Sequence, residues 1–365
     1  MARLAVVIGD PTGIGPEVLA RALVASPRGA PAELLVIGDA QTWEEAQRGA
    51  GVRLPPVPAE RPRAAGSEGV PFLDLPPEER DWRTGEMSPA AGRAAARWLE
   101  HAVRLALAGD ADAVVFAPLN KQAIMRAGYA ARDEYDLCAA LAGVAEHDEM
   151  NVIPARSTCC EASRSTALAD TAAHPAGRDL LWVARVTSHV PLREVTGLLT
   201  VERVLRTIRL AHGVASAAAG APGAGGHARR GAAGPRVGVA ALNPHAGEGG
   251  LAGDEETRII RPAIEAAAAE GINASGPHPA DHIFRRARAG DLDAVVSMYH
   301  DQAQIATKLL GFERGVSVGV GYPFVLVTPS HGTAFDIAGR GIADPGPMGQ
   351  ALLIAERLAS VRAKW

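Results

Sequence analysis

Three histidines occupy matching places in this chain. His189 follows the apolar run "LLWVARVT" (180–187), His245 follows "RVGVAAL" (236–242), and His300 follows "DAVVSMY" (293–299). Apolar runs of this length read as strands buried on both faces. In open α/β sheets, ligands bind beyond the carboxyl ends of such strands. A single histidine there is accounted for by packing, but three in equivalent positions are not. Three imidazoles that leave a coordination position open are a common arrangement for a catalytic divalent metal. The three are more than 50 residues apart, so spacing alone leaves their convergence open. Asp10, after the first apolar run, and Asn120 and Lys121, after "VVFAPL", share the same topological position. His245 lies in "NPHAGEGG" (243–250), a loop of small residues that gives another molecule or chain room to approach.

The elements that would position these side chains alternate. Residues 3–9, 33–39, 111–118, 180–187, 236–242 and 293–299 read as strands. Residues 15–26, 91–109 and 201–214 read as helices. Strand–helix alternation implies an open α/β sheet with helices on both faces. Two stretches break the rhythm. Residues 154–178 lack periodicity, and 215–235 are rich in Ala and Gly, so both are expected to be loop insertions, the second mobile. Gly13 and Gly15 of "GDPTGIGPEV" fit a tight strand-to-helix turn; they form neither a Walker loop nor a G-x-G-x-x-G fingerprint.

Composition narrows the function classes. Apolar residues are 47% and charged residues 21% of the 365, with a net charge of −4, which is not the profile of a nucleic-acid binder. No run approaches the 18 apolar residues of a membrane span, and the short N-terminal run cut off by Asp10 reads as a strand rather than a secretory signal. Three cysteines without regular spacing (Cys138, Cys159 and Cys160) fit a reducing cytoplasm better than a disulfide framework.

Seven ordered stretches carry a family resemblance: "GDPTGIGPEV", "APLNKQAI", "VTSHVPLREV", "LNPHAGEGG", "PADHIF", "MYHDQAQIATKLLGFERGV" and "HGTAFDIAGRGIADPG". Together they resemble the 4-hydroxythreonine-4-phosphate dehydrogenase (PdxA) family over nearly the whole chain outside the two insertions. The resemblance implies an isocitrate/isopropylmalate dehydrogenase-like α/β fold of two α/β/α domains with the active site in the cleft between them. The expected division is 1–125 with 301–365 for the cofactor, and 126–300 for metal binding and dimerisation. It implies NAD or NADP, one divalent metal (Zn, Mg, Mn or Co), a small-molecule substrate, and a homodimer with shared active sites. By resemblance the metal ligands are His189, His245 and His300, with His300 supplied across the interface from the other two. The stretch 330–345 resembles a nucleotide-binding loop, with His331, Gly332, Thr333, Asp336, Gly339 and Gly341 as cofactor contacts; the glycines would let backbone amides approach the dinucleotide. A Gly-rich turn into the last helix is the plainer reading of that stretch alone.

Departures from the family pattern bear on substrate. Glu134, Tyr135 and Asp136 fall where the family carries His-Thr-Glu, while Ser317 and Leu326 replace an Asn and an Arg that help hold substrate. Lys308 keeps the family's Lys as an anchor for an anionic group. Loss of a bidentate phosphate donor and gain of carboxylates argue against a phosphorylated substrate. They favour an unphosphorylated carboxylic diol, such as the terephthalate dihydrodiol of a related branch. The expected chemistry is oxidation of a secondary alcohol, followed by loss of carbon dioxide from a β-keto product. Asp281, Asp301 and Lys121 are candidates for proton transfer, with Asp301 equally readable as a partner that orients an imidazole. A phosphate acyltransferase and a non-catalytic binding relative are the readings from other classes.

Overall fold

In the computed structural model, residues 1–25, 33–65, 69–154, 180–220, 234–311 and 314–361 are described. Their strands and helices run in chain order: β1 Arg3–Val7, α1 Gly15–Ala25, β2 Glu33–Gly38, α2 Ala40–Ala50, β3 Pro56–Pro58, β4 Val70–Asp74, α3 Pro89–Leu107, β5 Ala113–Phe116, α4 Lys121–Arg126, α5 Glu134–Ala142, β6 Asp148–Pro154 and β7 Leu180–Arg185. There follow α6 Leu192–Leu198, α7 Val201–Gly220, β8 Val237–Ala240, α8 Arg261–Ala269, β9 Ala274–His278, α9 Ala280–Arg288, β10 Ala294–Ser297, α10 His300–Gly311, β11 Val316–Val320, β12 Val325–Pro329 and α11 Gly346–Ser360.

These residues form two compact units. Among the described residues, one comprises 1–148 and 316–361, and the other those from 149 to 315. In the first, strands follow the order β3-β4-β2-β1-β5-β12-β11, all parallel except β11 against β12. In the second the order is β6-β7-β10-β8-β9, with only β6 antiparallel. The predicted strands are all found, and their apolar residues are buried, as parallel strands covered by helices require.

The division differs from the one expected. Residues 126–148 belong with the first unit because α5 packs on α3 and Tyr322 Oη donates to the Tyr135 carbonyl at 2.9 Å. Helix α10 belongs with the second because it packs on β7 and β10, with Ala303 buried beside Val183 and Val295. A second correction concerns 215–235. Its first six residues are the end of α7, with Ala215 and Ala218 buried. Alanine is the best helix former, and a small apolar face was enough to continue the helix. The remainder of that stretch up to 233, and nearly all of 154–178, lie outside the described residues.

Local sequence explains several boundaries. Helix α3 starts two residues before the predicted 91 because Ser88 caps it, accepting from Ala90 N at 3.2 Å, with Pro89 in the first turn. Asp39 caps α2 in the same way through Thr42 N.

Candidate functional site

The second unit holds the three histidines. His189, four residues past the end of β7, and His300, at the start of α10, stand with ring centroids 5.5 Å apart. Both are at least partly exposed. His300 Nδ1 is 2.6 Å from Asp301 Oδ1, which leaves Nε2 to face a ligand. That contact favours Asp301 as the orienting partner. His245 does not join the pair: among the described residues, no three His, Cys, Asp or Glu side chains converge as a metal site. Its ring is 71% exposed, with Nδ1 held 2.8 Å from Glu248 Oε1. The carboxylate-on-Nδ1 arrangement therefore occurs at two of the three histidines, and it suits a borderline divalent ion bound through Nε2. His189 and His300 therefore stand together within one chain, where the resemblance assigns them to opposite sides of an interface.

The loop around His245 has an unexpected construction. Residues 245–249 are five consecutive left-handed residues, with φ of 52°, 57°, 79°, 45° and 70°. Three of them, His245, Ala246 and Glu248, carry side chains, and His189 also has φ of 52°. Non-glycine residues hold this conformation only where the surroundings enforce it. Glu256, 2% exposed and close to Gly247 of this loop, was not picked out in the sequence. Its Oε1 accepts from the N–H groups of Leu242 (2.9 Å) and Asn243 (2.8 Å), and its Oε2 from Asn243 Nδ2 (3.0 Å). A Cβ on Gly247 would stand 2.8 Å from Glu256 Oε2, whereas one on Gly249 or Gly250 would meet nothing within 4 Å. The small residues thus serve two ends: Gly247 lets the loop wrap its own carboxylate, and the later glycines leave open space. Asp281 (69% exposed, beside His282) and Lys308 are exposed on α9 and α10.

The first unit holds the stretch 330–345, expected from the resemblance to meet a nucleotide. His331 Nε2 is buried with no hydrogen-bond partner among the described residues, and burial lowers the ring's pKa, so the imidazole is neutral. Gly332 has open space where a Cβ would be, and Asp336 is exposed. These three fit a dinucleotide edge: an open approach, a neutral ring nitrogen and a carboxylate. Thr333 is buried; its carbonyl accepts from Ile14 N at 2.9 Å, and a Cβ on Gly13 would meet it at 2.8 Å. At Gly341 and Gly339 the missing side chain makes room for the protein itself. A Cβ on Gly341 would lie 2.4 Å from the Gly49 carbonyl oxygen, and one on Gly339 would lie 3.1 Å from Thr84 Cγ2. Their bareness lets the stretch seat against its own unit. Two residues of α1 help hold it, Glu17 by accepting from Ala343 N (3.1 Å) and Arg21 by donating to the Gly341 carbonyl (3.2 Å).

The residues expected to meet substrate stand in different settings. Lys121, at the start of α4, has its Nζ 3.7 Å from Glu134 Oε2, a carboxylate with 11% exposure. Tyr135 is a packing residue, buried edge-on against Phe116. Ser317 is buried in β11, 3.4 Å from Ser330 Oγ. Leu326 is fully buried in β12, paired with Gly319, and so does not line an open pocket. Asp136 is neutralised by Arg132, whose hydrogen bonds hold its pKa below the usual carboxylate range, and it also faces His147. A loss of a phosphate contact at Leu326 and a gain of free charge at Asp136 therefore have no basis in the geometry. Asp10 is buried, with Oδ1 taken by Thr12 N and Oγ1 and with no partner for Oδ2 among the described residues; burial raises its pKa against those hydrogen bonds.

Comparison with known proteins places the chain among named relatives. The chain is 39% identical over 363 residues to 4-hydroxythreonine-4-phosphate dehydrogenase from Geobacter metallireducens, covering 99% of this chain and 96% of that protein. It is 37% identical over 364 residues to D-threonate 4-phosphate dehydrogenase from Cupriavidus necator, covering 99% and 98%. The crystal structure of 4-hydroxythreonine-4-phosphate dehydrogenase from Klebsiella pneumoniae superposes with a TM-score of 0.75 at 33% identity, covering 99% of both chains. Residues 30–355 match the family described as pyridoxal phosphate biosynthetic protein PdxA, and the chain, a relative of dehydrogenases along its whole length, belongs to that family.

Proposed function

We propose that the protein oxidises a secondary hydroxyl of a phosphorylated hydroxy acid, with NAD or NADP as hydride acceptor and one divalent ion per site, and that a β-keto product then loses carbon dioxide. The observation that carries the reading is the His189–His300 pair with the His300 ring oriented by Asp301. A bound ion would supply a Lewis acid to the reacting oxygen, and a bound dinucleotide a hydride acceptor. The chain's own residues do the rest. Asp301 fixes the tautomer of His300, so that Nε2 is the lone pair presented. Neutral His331 and exposed Asp336 meet polar edges of the dinucleotide. Lys308 anchors an anionic group of the substrate. Lys121, with Glu134 to take up or relay its proton, serves proton transfer, and Asp281 is the second candidate.

The phosphorylated substrate is supported by the names of the relatives and by burial of Leu326, which removes the argument for an unphosphorylated diol. We propose a homodimer in which His245 of the second copy completes the ligand set. Its exposed ring supports this, as do the 84% exposed Leu251 that follows the same loop and the apolar stripe of Ile305 (62%) and Leu309 (83%) on α10. The test is NAD and NADP reduction with D-threonate 4-phosphate, 4-hydroxythreonine 4-phosphate and unphosphorylated diols, with Zn²⁺, Mg²⁺, Mn²⁺ or Co²⁺ and with a chelator. Turnover of a phosphorylated acid that the chelator abolishes is expected. Equal turnover in chelator, or a tenfold preference for the unphosphorylated diols, overturns the proposal.

A further inference from the structure

Arg185, the last residue of β7, is 1% exposed, with a side chain that reaches no solvent. A strand end buried among apolar neighbours calls for an aliphatic residue, and a guanidinium there is costly unless its donors are used. Its donors are used on a specific set of groups. Nε donates to Ser188 Oγ at 2.9 Å, next to His189. Nη1 donates to Asn151 Oδ1 on β6, and Nη2 to Glu149 Oε2 at 2.9 Å. The same Asn151 oxygen accepts from Gln304 Nε2 at 2.8 Å, and Gln304 lies one helical turn beyond His300 on α10. The segments carrying His189 and His300 thus meet on one amide oxygen, and the planar fork of the arginine fixes the direction of approach. His189 also holds a left-handed backbone, which needs such enforcement.

We propose that Arg185, with Asn151 and Gln304, is a positioning network that sets the separation of the His189 and His300 rings and thereby the affinity for a divalent ion. The proposal rests on the metal reading above. Groups that hold ligands in place typically change metal affinity ten- to a hundredfold when removed. A purely structural ion pair would instead lower stability and leave affinity alone.

The experiment titrates the metal-free full-length protein with Co²⁺, reading affinity and the visible absorption spectrum, alongside thermal unfolding of the metal-free form. Arg185→Lys keeps the charge and loses the fork, but a buried substitution risks misfolding. Gln304→Leu and Ser188→Ala each cut one arm while Arg185 keeps Asn151 and Glu149. Both are expected to bind Co²⁺ roughly ten- to a hundredfold more weakly, with an altered spectrum and a nearly unchanged melting temperature. Wild-type affinity and spectrum in both, with binding lost in His300→Ala, overturn the network. Wild-type binding in His189→Ala and His300→Ala as well overturns the metal reading beneath it.

Discussion

The contrast between Gly247 and Gly249 offers a sharp test of the His245 loop. Both are glycines in the same left-handed turn, with φ of 79° and 70°. Alanine at either pays the left-handed penalty, roughly 1–2 kcal/mol. At Gly249 nothing else happens, because no atom lies within 4 Å of the added Cβ. At Gly247 the Cβ would sit 2.8 Å from Glu256 Oε2 and 3.0 Å from the Gly253 carbonyl oxygen, and the carboxylate has to move. That carboxylate holds two backbone N–H groups and the Asn243 amide. Hydrogen bonds to a charged group are worth about 1.5–3 kcal/mol each. The donors are half-buried and water replaces part of the loss, so the equivalent of one bond, about 2 kcal/mol, is the expected excess of Gly247→Ala over Gly249→Ala. Hydrogen exchange read by mass spectrometry on the segment 241–256 provides the assay. The Leu242 and Asn243 amides should exchange about thirtyfold faster in Gly247→Ala than in Gly249→Ala, which is what 2 kcal/mol amounts to. Equal exchange in the two variants would refute the assignment of Glu256 as the group that holds the loop.

Three further outcomes are expected. Burial raises the Asp10 pKa above its ordinary 3.8, so the unfolded chain ionises first as pH climbs, and Asp10 works against folding from about that pH upward. Asp10→Asn keeps the acceptor for Thr12 and should stabilise the protein above that range and not below it; urea titrations at pH 3.5 and pH 7 check the sign, and a gap at low pH alone contradicts it. Mixing His245→Ala with His300→Ala protein should restore dehydrogenase turnover in mixed dimers, whereas His189→Ala with His300→Ala should not; the opposite pattern rejects the proposed sharing of the site. Leu326→Arg should lower soluble yield and melting temperature by burying an unpartnered charge, with no better KM for phosphorylated substrate; a folded variant with an improved KM would place that side chain in the pocket.

The strand positions were legible because a strand buried on both faces has no choice but to be apolar, and the residues just beyond "LLWVARVT" and "DAVVSMY" had to come out at one end of the sheet. The pairing of His189 and His300 follows from the adjacency of β7 and β10, which no run of residues states by itself. Glu256 was illegible for a different reason. A glutamate in a polar stretch looks solvated, and only the backbone N–H groups left over at the end of β8 reveal why it is buried. The same holds for Gly339 and Gly341, whose partners, Thr84 and Gly49, lie hundreds of residues away in sequence. Leu326 misled because alignment to a family pattern locates a residue in the chain without saying which face of a strand it occupies, and the extent of α7 was missed because an alanine-rich segment satisfies a helix and a loop description equally well.

The strand order of the first unit has a consequence for how the protein is made. Its sheet places β12 directly against β5, yet those strands are separated by the whole of the second unit in the chain. During synthesis the second unit's strands and helices emerge together, while β5 waits with an unpaired, wholly apolar edge. That edge is closed only when residues 325–329 arrive, after the whole of the second unit has been made. The interval between the two events is when the chain is most open to pairing with a neighbouring copy, so its vulnerability to aggregation is set by elongation time and chaperone cover more than by the stability of the finished fold.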